Sequence, residues 1–282
     1  VVSLLAPRPE GVYVDATIGL GGHAAALLAA GAGRVIGLDR DRAALDRARA
    51  RFADAGEAVS LVHADYRDLA AVLAARGERA VDGVLADLGV SSLQLDDAQR
   101  GFSFRQAGPL DMRMDQARGL TVGERLARAD EATLADVIWK FGEERHARRV
   151  ARAIVQARDR GDLRTSTDLA SVVRRAAGGR TWQRIDPATR TFQALRIWVN
   201  DELEGLEAFL PAAVSALAPR GRLAVIAFHS LEDRIVKHTL RGFAASGTVT
   251  LITRRPIVPA AGEVARNPRA RSARLRVVEK AA

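Results

Sequence analysis

The 282-residue sequence predicts a doubly wound α/β fold, a mostly parallel sheet of seven strands with an all-helical domain inserted into it. Three observations predict this class. Short β-branched runs alternate with alanine-rich stretches over the first third of the chain. Glycines and a proline then interrupt that rhythm, and strand-like runs return only near the carboxyl end.

The elements follow in order. Residues 12–14, 35–38, 59–62 and 81–85 are short apolar runs, the pattern of strands buried on both faces of a parallel sheet. Residues 24–30, 41–52 and 69–76 between them are alanine-rich and helical in character. From about Gly89 the pattern breaks at Gly101, Gly108, Pro109 and Gly119, and helical periodicity continues to about Arg190. One strong helix carries the stripe Leu195, Trp198, Val199, Leu203, Leu206 and Leu210 at i, i+3/i+4 spacing. Residues 222–228, 248–253 and 273–278 complete the sheet, the final two as an antiparallel edge pair. The expected division is a core of 1–105 and 193–282 around a helical domain of 106–192.

Composition narrows the function classes. At 48% apolar and 27% charged residues the chain is not a disordered polyelectrolyte. Basic side chains number 43 against 34 acidic, and only Lys140, Lys237 and Lys280 are lysine, so arginine carries nearly all of the net +9. A guanidinium fork grips phosphate and stacks on bases, which favours a polyanionic partner. The absence of cysteine excludes disulfides, thiolate metal sites and a cysteine nucleophile, in keeping with a cytoplasmic protein. Apolar runs such as 24–30 and 223–228 fall far short of the roughly 20 residues that cross a bilayer, so no membrane helix is expected. The histidines at 23, 63, 146, 229 and 238 show no paired ligand spacing, and no catalytic metal is expected.

Candidate site residues cluster where predicted strands end. The first strand ends in Asp15, followed by Ala16-Thr17-Ile18-Gly19-Leu20-Gly21-Gly22-His23 and then a helix. Such a turn bares backbone N–H groups, and the helix start favours an anionic ligand group. Asp39, ending the second strand, is placed to accept from a ribose diol. Gly19-x-Gly21-x-x-Ala24 with Asp39 twenty residues on also fits a nicotinamide dinucleotide fingerprint. Asp15 favours a methyl donor instead, since a carboxylate before the turn crowds a pyrophosphate but suits the ammonium and sulfonium of S-adenosylmethionine. Tyr66, after the third strand, either covers an adenine face or packs on the sheet edge. Asp87 ends the fourth strand and either meets the ligands or caps a helix.

These residues and several longer runs carry a family resemblance. Asp15 to His23, Asp87-Leu88-Gly89-Val90-Ser91-Ser92-Leu93-Gln94, Gly101-Phe102-Ser103-Phe104, Gly108-Pro109-Leu110-Asp111-Met112-Arg113-Met114, Thr189-Arg190-Thr191-Phe192-Gln193-Ala194-Leu195-Arg196-Ile197, Phe228-His229-Ser230-Leu231-Glu232-Asp233-Arg234 and Asn267-Pro268-Arg269-Ala270-Arg271-Ser272 resemble the bacterial 16S ribosomal RNA (cytosine-N4)-methyltransferases of the RsmH/MraW type. The resemblance implies a Rossmann-like methyltransferase sheet, S-adenosyl-L-methionine as donor, and a cytosine N4 amine in the decoding region as acceptor. It implies the small ribosomal subunit with its 16S rRNA as partner. It also implies donor contacts at Gly21, Gly22, His23, Asp39, Tyr66, Asp87 and Gln94. Members usually begin with a His-x-Pro-Val-Leu segment, whereas this sequence enters at Val1-Val2-Ser3-Leu4-Leu5.

Methyl transfer from a sulfonium to an amine is an in-line displacement that needs alignment and a dry pocket more than a protein nucleophile. The cytosine amine is a weak nucleophile, and an acceptor near its N–H helps it pyramidalise; Asp87, or a carbonyl of 88–90, is the candidate. A flipped base requires a flat apolar face and polar groups on its pairing edge. Phe102, Phe104 and Phe228 are candidates for the face, with core packing the alternative, and His229 and Ser230 for the edge. Arg113 joins them from the Gly108 to Met114 motif. Arg145, Arg148, Arg149 and Arg152 share one helical face opposite Ala147, Val150 and Ile154, and Arg266, Arg269, Arg271, Arg274 and Arg276 border the last strand, so both groups are candidate phosphate contacts. Two other readings stand beside a methyltransferase: an NAD(P)-dependent oxidoreductase on a similar sheet and a non-catalytic RNA-binding assembly factor.

Overall fold

The computed structural model describes residues 1–178 and 186–282. They form two compact units, Val1–Gly89 with Leu203–Ala282, and Val90–Glu202.

The chain opens with a short helix α1 (Val2–Leu5) and strand β1 (Val12–Asp15), then alternates α2 (Gly22–Ala29), β2 (Arg34–Asp39), α3 (Arg42–Arg51), β3 (Val59–His63), α4 (Leu69–Ala75) and β4 (Val81–Asp87). Asp41 starts α3 by accepting from the Ala43 N–H, satisfying a donor that the helix leaves open.

Among the described residues, the second unit is built on helices, with no strand beyond an isolated bridge between Pro109 and Thr165: α5 (Ser92–Asp96), α6 (Val122–Arg128), α7 (Glu131–Gly142), α8 (Ala147–Asp159), α9 (Ser166–Ala177) and α10 (Ala188–Asn200). Met112, Leu134, Ile138, Val150, Ile154, Leu169, Phe192 and Leu195 are among its core residues. This unit reaches beyond the expected 106–192 on both sides. Val90, Leu95 and Phe102 pack into its core before that range, and Ala194 and Val199 after it. Buried Asn200 stitches the core by accepting from the Met114 N–H and donating to the Met112 carbonyl, both at 2.8 Å.

The chain then forms α11 (Glu202–Ala216), β5 (Leu217–Ala227), α12 (Ser230–Ala245), β6 (Val249–Leu251), α13 (Ala261–Arg266) and β7 (Arg274–Lys280). The single helix expected across 195–210 is two helices, α10 and α11. Asp201 adopts the left-handed conformation (φ 48°) that ends α10. The apolar stripe survives the break because its halves serve different cores, Leu195 and Val199 in the helical unit, Leu206 and Leu210 against the sheet.

The sheet has seven strands in the order β3-β2-β1-β4-β5-β7-β6. The first five are mutually parallel, and β7 is antiparallel to both its neighbours. The expected edge pair therefore lies with β6 alone at the edge and β7 inside. Alternation sends Val14, Ile36, Val84 and Val225 to one face beneath α4, α11 and α12, and Tyr13, Val35, Leu85 and Ala224 to the other. The order of connection reverses between β1 and β4, and the crevice at their carboxyl ends is where such sheets hold ligands.

Candidate active site at the carboxyl ends of the strands

The glycine turn is built to a tight tolerance. Gly21 caps α2 with φ 76°, and a Cβ there would lie 2.4 Å from the Phe52 ring. Gly37, in the middle of β2, makes room for Ile18, whose Cδ1 would meet a Cβ at 2.1 Å. Through that contact, and through the Ile18 N–H donating to the Leu38 carbonyl at 2.8 Å, the turn is seated on the sheet. Asp39 completes the clamp, its carboxylate accepting from the Gly19 and Asp41 N–H groups, each at 2.8 Å. Asp41, not Asp39, is thus the helix cap, and Asp39 stands at the crevice, with burial as the main cause of its raised pKa.

Three acidic side chains and one imidazole meet behind this turn. Asp15 is 1% exposed; its Oδ1 accepts from the Thr17 N–H at 3.3 Å and its Oδ2 meets no donor. Burial pushes its pKa up to about 7, reinforced by Asp87 and Asp39 and opposed by His23 and the Thr17 N–H. The Asp87 N–H donates to Thr17 Oγ1 at 2.7 Å, which fastens β4 to the turn. Asp87 Oδ2 lies 3.4 Å from His23 Nε2, and Asp87 Oδ1 is buried without a donor. The bond to Asp87 raises the His23 pKa against the effect of burial. The sequence alone offers no chemical ground for His23; its ground is Asp87, 64 positions away. Thr17, which holds the Asp15 carboxylate and the Asp87 backbone to the loop, is a site residue the sequence analysis does not single out, although its place between Asp15 and the glycines is the available signal.

A cluster with two buried, donorless carboxylate oxygens repels a pyrophosphate and suits a ligand that brings positive charge and N–H or O–H donors. The ammonium, sulfonium and ribose hydroxyls of S-adenosylmethionine meet those requirements, and Asp15, His23, Asp39, Asp87 and the Gly19 to Gly22 backbone are the groups here that could hold them. Tyr66 stands after β3 with its ring edge-on to Phe209 of α11, centroids 5.0 Å apart. That is the packing alternative for Tyr66.

Other expected residues divide between the units. In the sheet unit, Phe228 packs partly into the core that holds Leu5 and Tyr13. His229 caps α12: its Nδ1 accepts from the Glu232 N–H at 3.4 Å, and Glu232 Oε2 accepts from the Phe228 and His229 N–H groups at 2.8 and 3.3 Å. This reciprocal box fixes the imidazole at the end of β5, with Ser230 exposed beside it. Arg269 and Arg271 are exposed with Arg266. Arg276 corrects the expected phosphate group, since it is buried and grips Asp233 through two bonds of 2.7 and 3.1 Å, and Arg274 joins the same carboxylate at 3.1 Å.

In the helical unit, Gln94 is buried and its side-chain carbonyl accepts from the Ser91 N–H at 3.0 Å in the box that starts α5. Phe102 is a core residue, 7% exposed, which removes it as a base platform. Phe104 is partly buried, edge-on to Phe192, with the Arg174 guanidinium 5.2 Å from its centroid. Arg113 is held by Asp111 through bonds of 2.7 and 3.0 Å. Arg148, Arg149 and Arg152 are exposed on α8 as expected, but Arg145, also exposed, lies in the turn before the helix and not on its face, and Arg152 pairs with Glu131 at 3.2 Å.

Known proteins resemble the chain along its whole length. The model described as "MraW methylase family" matches residues 1–281. A protein of Sorangium cellulosum named ribosomal RNA small subunit methyltransferase H is 54% identical over 280 residues, covering 99% of this chain and 88% of that protein. Proteins with the same name from Nitrobacter winogradskyi and Deinococcus radiodurans are each 52% identical, covering 99% and 100% of this chain and 88% of theirs.

Proposed function

The chain belongs to the MraW methylase family, and from that premise we propose that it methylates the N4 amine of a cytosine in small-subunit ribosomal RNA, using S-adenosylmethionine. The observation that carries this reading is the pair of buried, donorless oxygens on Asp15 and Asp87 beside a glycine turn. The names of the relatives support the RNA substrate. We further assign the assembled small subunit as the form acted on and the cytoplasm as the place. No helix of the described residues is long and apolar enough to cross a membrane.

The donor supplies an activated methyl group on a sulfonium. The chain's own residues do the rest. Asp15, the deepest carboxylate, faces the cationic amino-acid end. Asp39, already fixed by two backbone N–H groups, keeps lone pairs for a ribose diol, and the Gly19 to Gly22 backbone offers N–H groups to a carboxylate. Asp87 is the more accessible acid, with a side chain 35% exposed. Its carboxylate accepts from the target amine and draws the nitrogen lone pair out of conjugation, while His23, 3.4 Å from Oδ2, fixes the carboxylate's orientation. His229 turns both ring nitrogens to Glu232 and serves to fix the end of β5, while Phe228 offers a partial apolar face to the base and Ser230, exposed beside it, a hydroxyl to its pairing edge. Gln94 is assigned to the donor by resemblance alone.

Labelled-methyl transfer to small subunits from cells lacking this enzyme tests the reading, with nucleoside mass spectrometry as readout. N4-methylcytidine is expected. Saturable binding of S-adenosylhomocysteine without transfer would leave an RNA-binding factor, and NADH binding in its place an oxidoreductase. In single turnover, Asp87→Asn is expected to slow transfer about a hundredfold with the donor saturating; an unchanged rate removes Asp87 from the chemistry.

A further inference from the structure

Away from the crevice, at the β6 edge of the sheet, residues of α12, β6, β7 and the chain beyond β6 line a small depression of about 10 Å³. Its lining holds four cations, Lys237, Arg241, Arg254 and Arg276, and no acid; the remaining lining is aliphatic apart from Thr253. Arg276 is neutralised by Asp233. Lys237, Arg241 and Arg254 have no hydrogen bond or ion pair among the described residues. Local carboxylates are committed elsewhere. On α12, Asp233 serves Arg274 and Arg276, and Glu232 serves the backbone at His229. On β7, Glu279 pairs with Arg222 at 2.9 Å. Lys237 and Arg241, at i and i+4, repel on one helix face, and Arg254 adds a third like charge from the chain beyond β6.

We propose that this depression is a docking site for the phosphodiester backbone of the RNA substrate, a positioning contact separate from the crevice that holds the reacting groups. It rests on the functional reading above for the identity of the polyanion. Three observations favour an RNA backbone over other anions. The depression holds about 10 Å³, whereas a free nucleotide needs a pocket that buries most of its surface. No aromatic side chain lines it, so it offers a base no stacking platform. Its unpaired cations come from two separate segments, α12 and the chain beyond β6, so that more than one phosphate of a strand can be met. Contacts of this kind set register and affinity without reading sequence.

The test is the triple variant Lys237→Gln, Arg241→Gln, Arg254→Gln of the full chain, measured by equilibrium binding to in vitro transcribed small-subunit rRNA across a salt series and by methyl transfer to particles. The RNA Kd and the KM for particles are expected to rise about tenfold, with kcat and S-adenosylhomocysteine affinity unchanged. The plot of log affinity against log salt should flatten by roughly 0.7–0.9 for each phosphate that the variant no longer neutralises. If the variant does not fold, lysine footprinting of the wild type replaces it, with Lys237 protected by the RNA. An unmoved Kd and slope, or an unprotected Lys237, overturns the proposal. So does protection of Lys237 by millimolar inorganic phosphate alone, which makes this a small-anion pocket. Absent methyl transfer with RNA binding that still depends on the three cations would sink the functional reading and leave the docking site standing.

Discussion

The mouth of the sheet and its β6 edge carry opposite unbalanced charges, and they bear them at different depth. At the mouth, the unpartnered oxygens of Asp15 and Asp87 are buried. At the edge, Arg241 and Arg254 are exposed and Lys237 is half-buried. Burying an unpaired charge costs several kcal/mol, whereas water screens an exposed one. The mouth is consequently tense in the absence of a ligand and selective for one that relieves it. The edge is nearly indifferent and attracts any strand of phosphates.

The sharpest test of that contrast lies between the two regions, at Asp233. Its side chain and that of Arg276 are each about 9% exposed, and Arg274 shares the same carboxylate. Asp233→Ala leaves a buried guanidinium unpaired and is expected to destabilise the protein by about 3–5 kcal/mol in urea titration. If the loss is under about 1 kcal/mol, depth does not decide the fate of charge in this molecule and the comparison fails.

Asp15 gives the next largest effect. Its carboxyl titrates near 7 in the fold, against an ordinary value of 3.8. Between those values the folded protein holds a proton that the unfolded chain releases, so this contribution to stability is full below about pH 4 and declines as pH rises through 7. His23, its pKa raised chiefly by Asp87, adds a decline of the same sign above its ordinary 6.5. Asp15→Asn removes the first component and leaves the larger, Asp87-driven part of the second. The variant is expected to gain about 1–3 kcal/mol at pH 8, to lose most of the pH dependence between 4 and 6, and to bind S-adenosylhomocysteine at least tenfold more weakly. Equal slopes for both proteins in a pH series of thermal unfolding would show that Asp15 is already charged in the fold.

How much of this was legible in the sequence follows from the range over which each feature acts. The glycine turn was legible because Gly21 occupies a positive-φ position whose chemistry is local. The strands were legible from their apolar runs, and the strand ends marked Asp15, Asp39 and Asp87 as neighbours. Helical periodicity could not reveal the break at Asp201, since a stripe divided between two cores keeps the same spacing as a stripe facing one. Phe102 illustrates the same limit: a phenylalanine among glycines reads alike whether it meets a base or, as here, a core. The arginines near the last strand looked equivalent in sequence, and only the pairing of Arg276 with Asp233 on α12 separates the structural ones from Arg266, Arg269 and Arg271. Lys237, Arg241 and Arg254 converge through the register of β6 against β7, which no local pattern encodes.

The smallest expected effect belongs to the edge. If Lys237, Arg241 and Arg254 are present for a partner and not for the fold, their removal takes away no native hydrogen bond or ion pair and relieves mutual repulsion. The triple glutamine variant should therefore unfold within about 0.5 kcal/mol of the wild type, on the stable side at low ionic strength. Added salt should narrow that difference, because screening weakens in the wild type the repulsion that the variant no longer has. The reverse pattern, with the variant less stable by more than about 1 kcal/mol and the gap independent of salt, would mean that the aliphatic stems of these side chains cover Leu240, Leu251 and Val278. In that case the edge would be a packed rim, and the two regions would differ in the sign of their charge but not in what the charge is for.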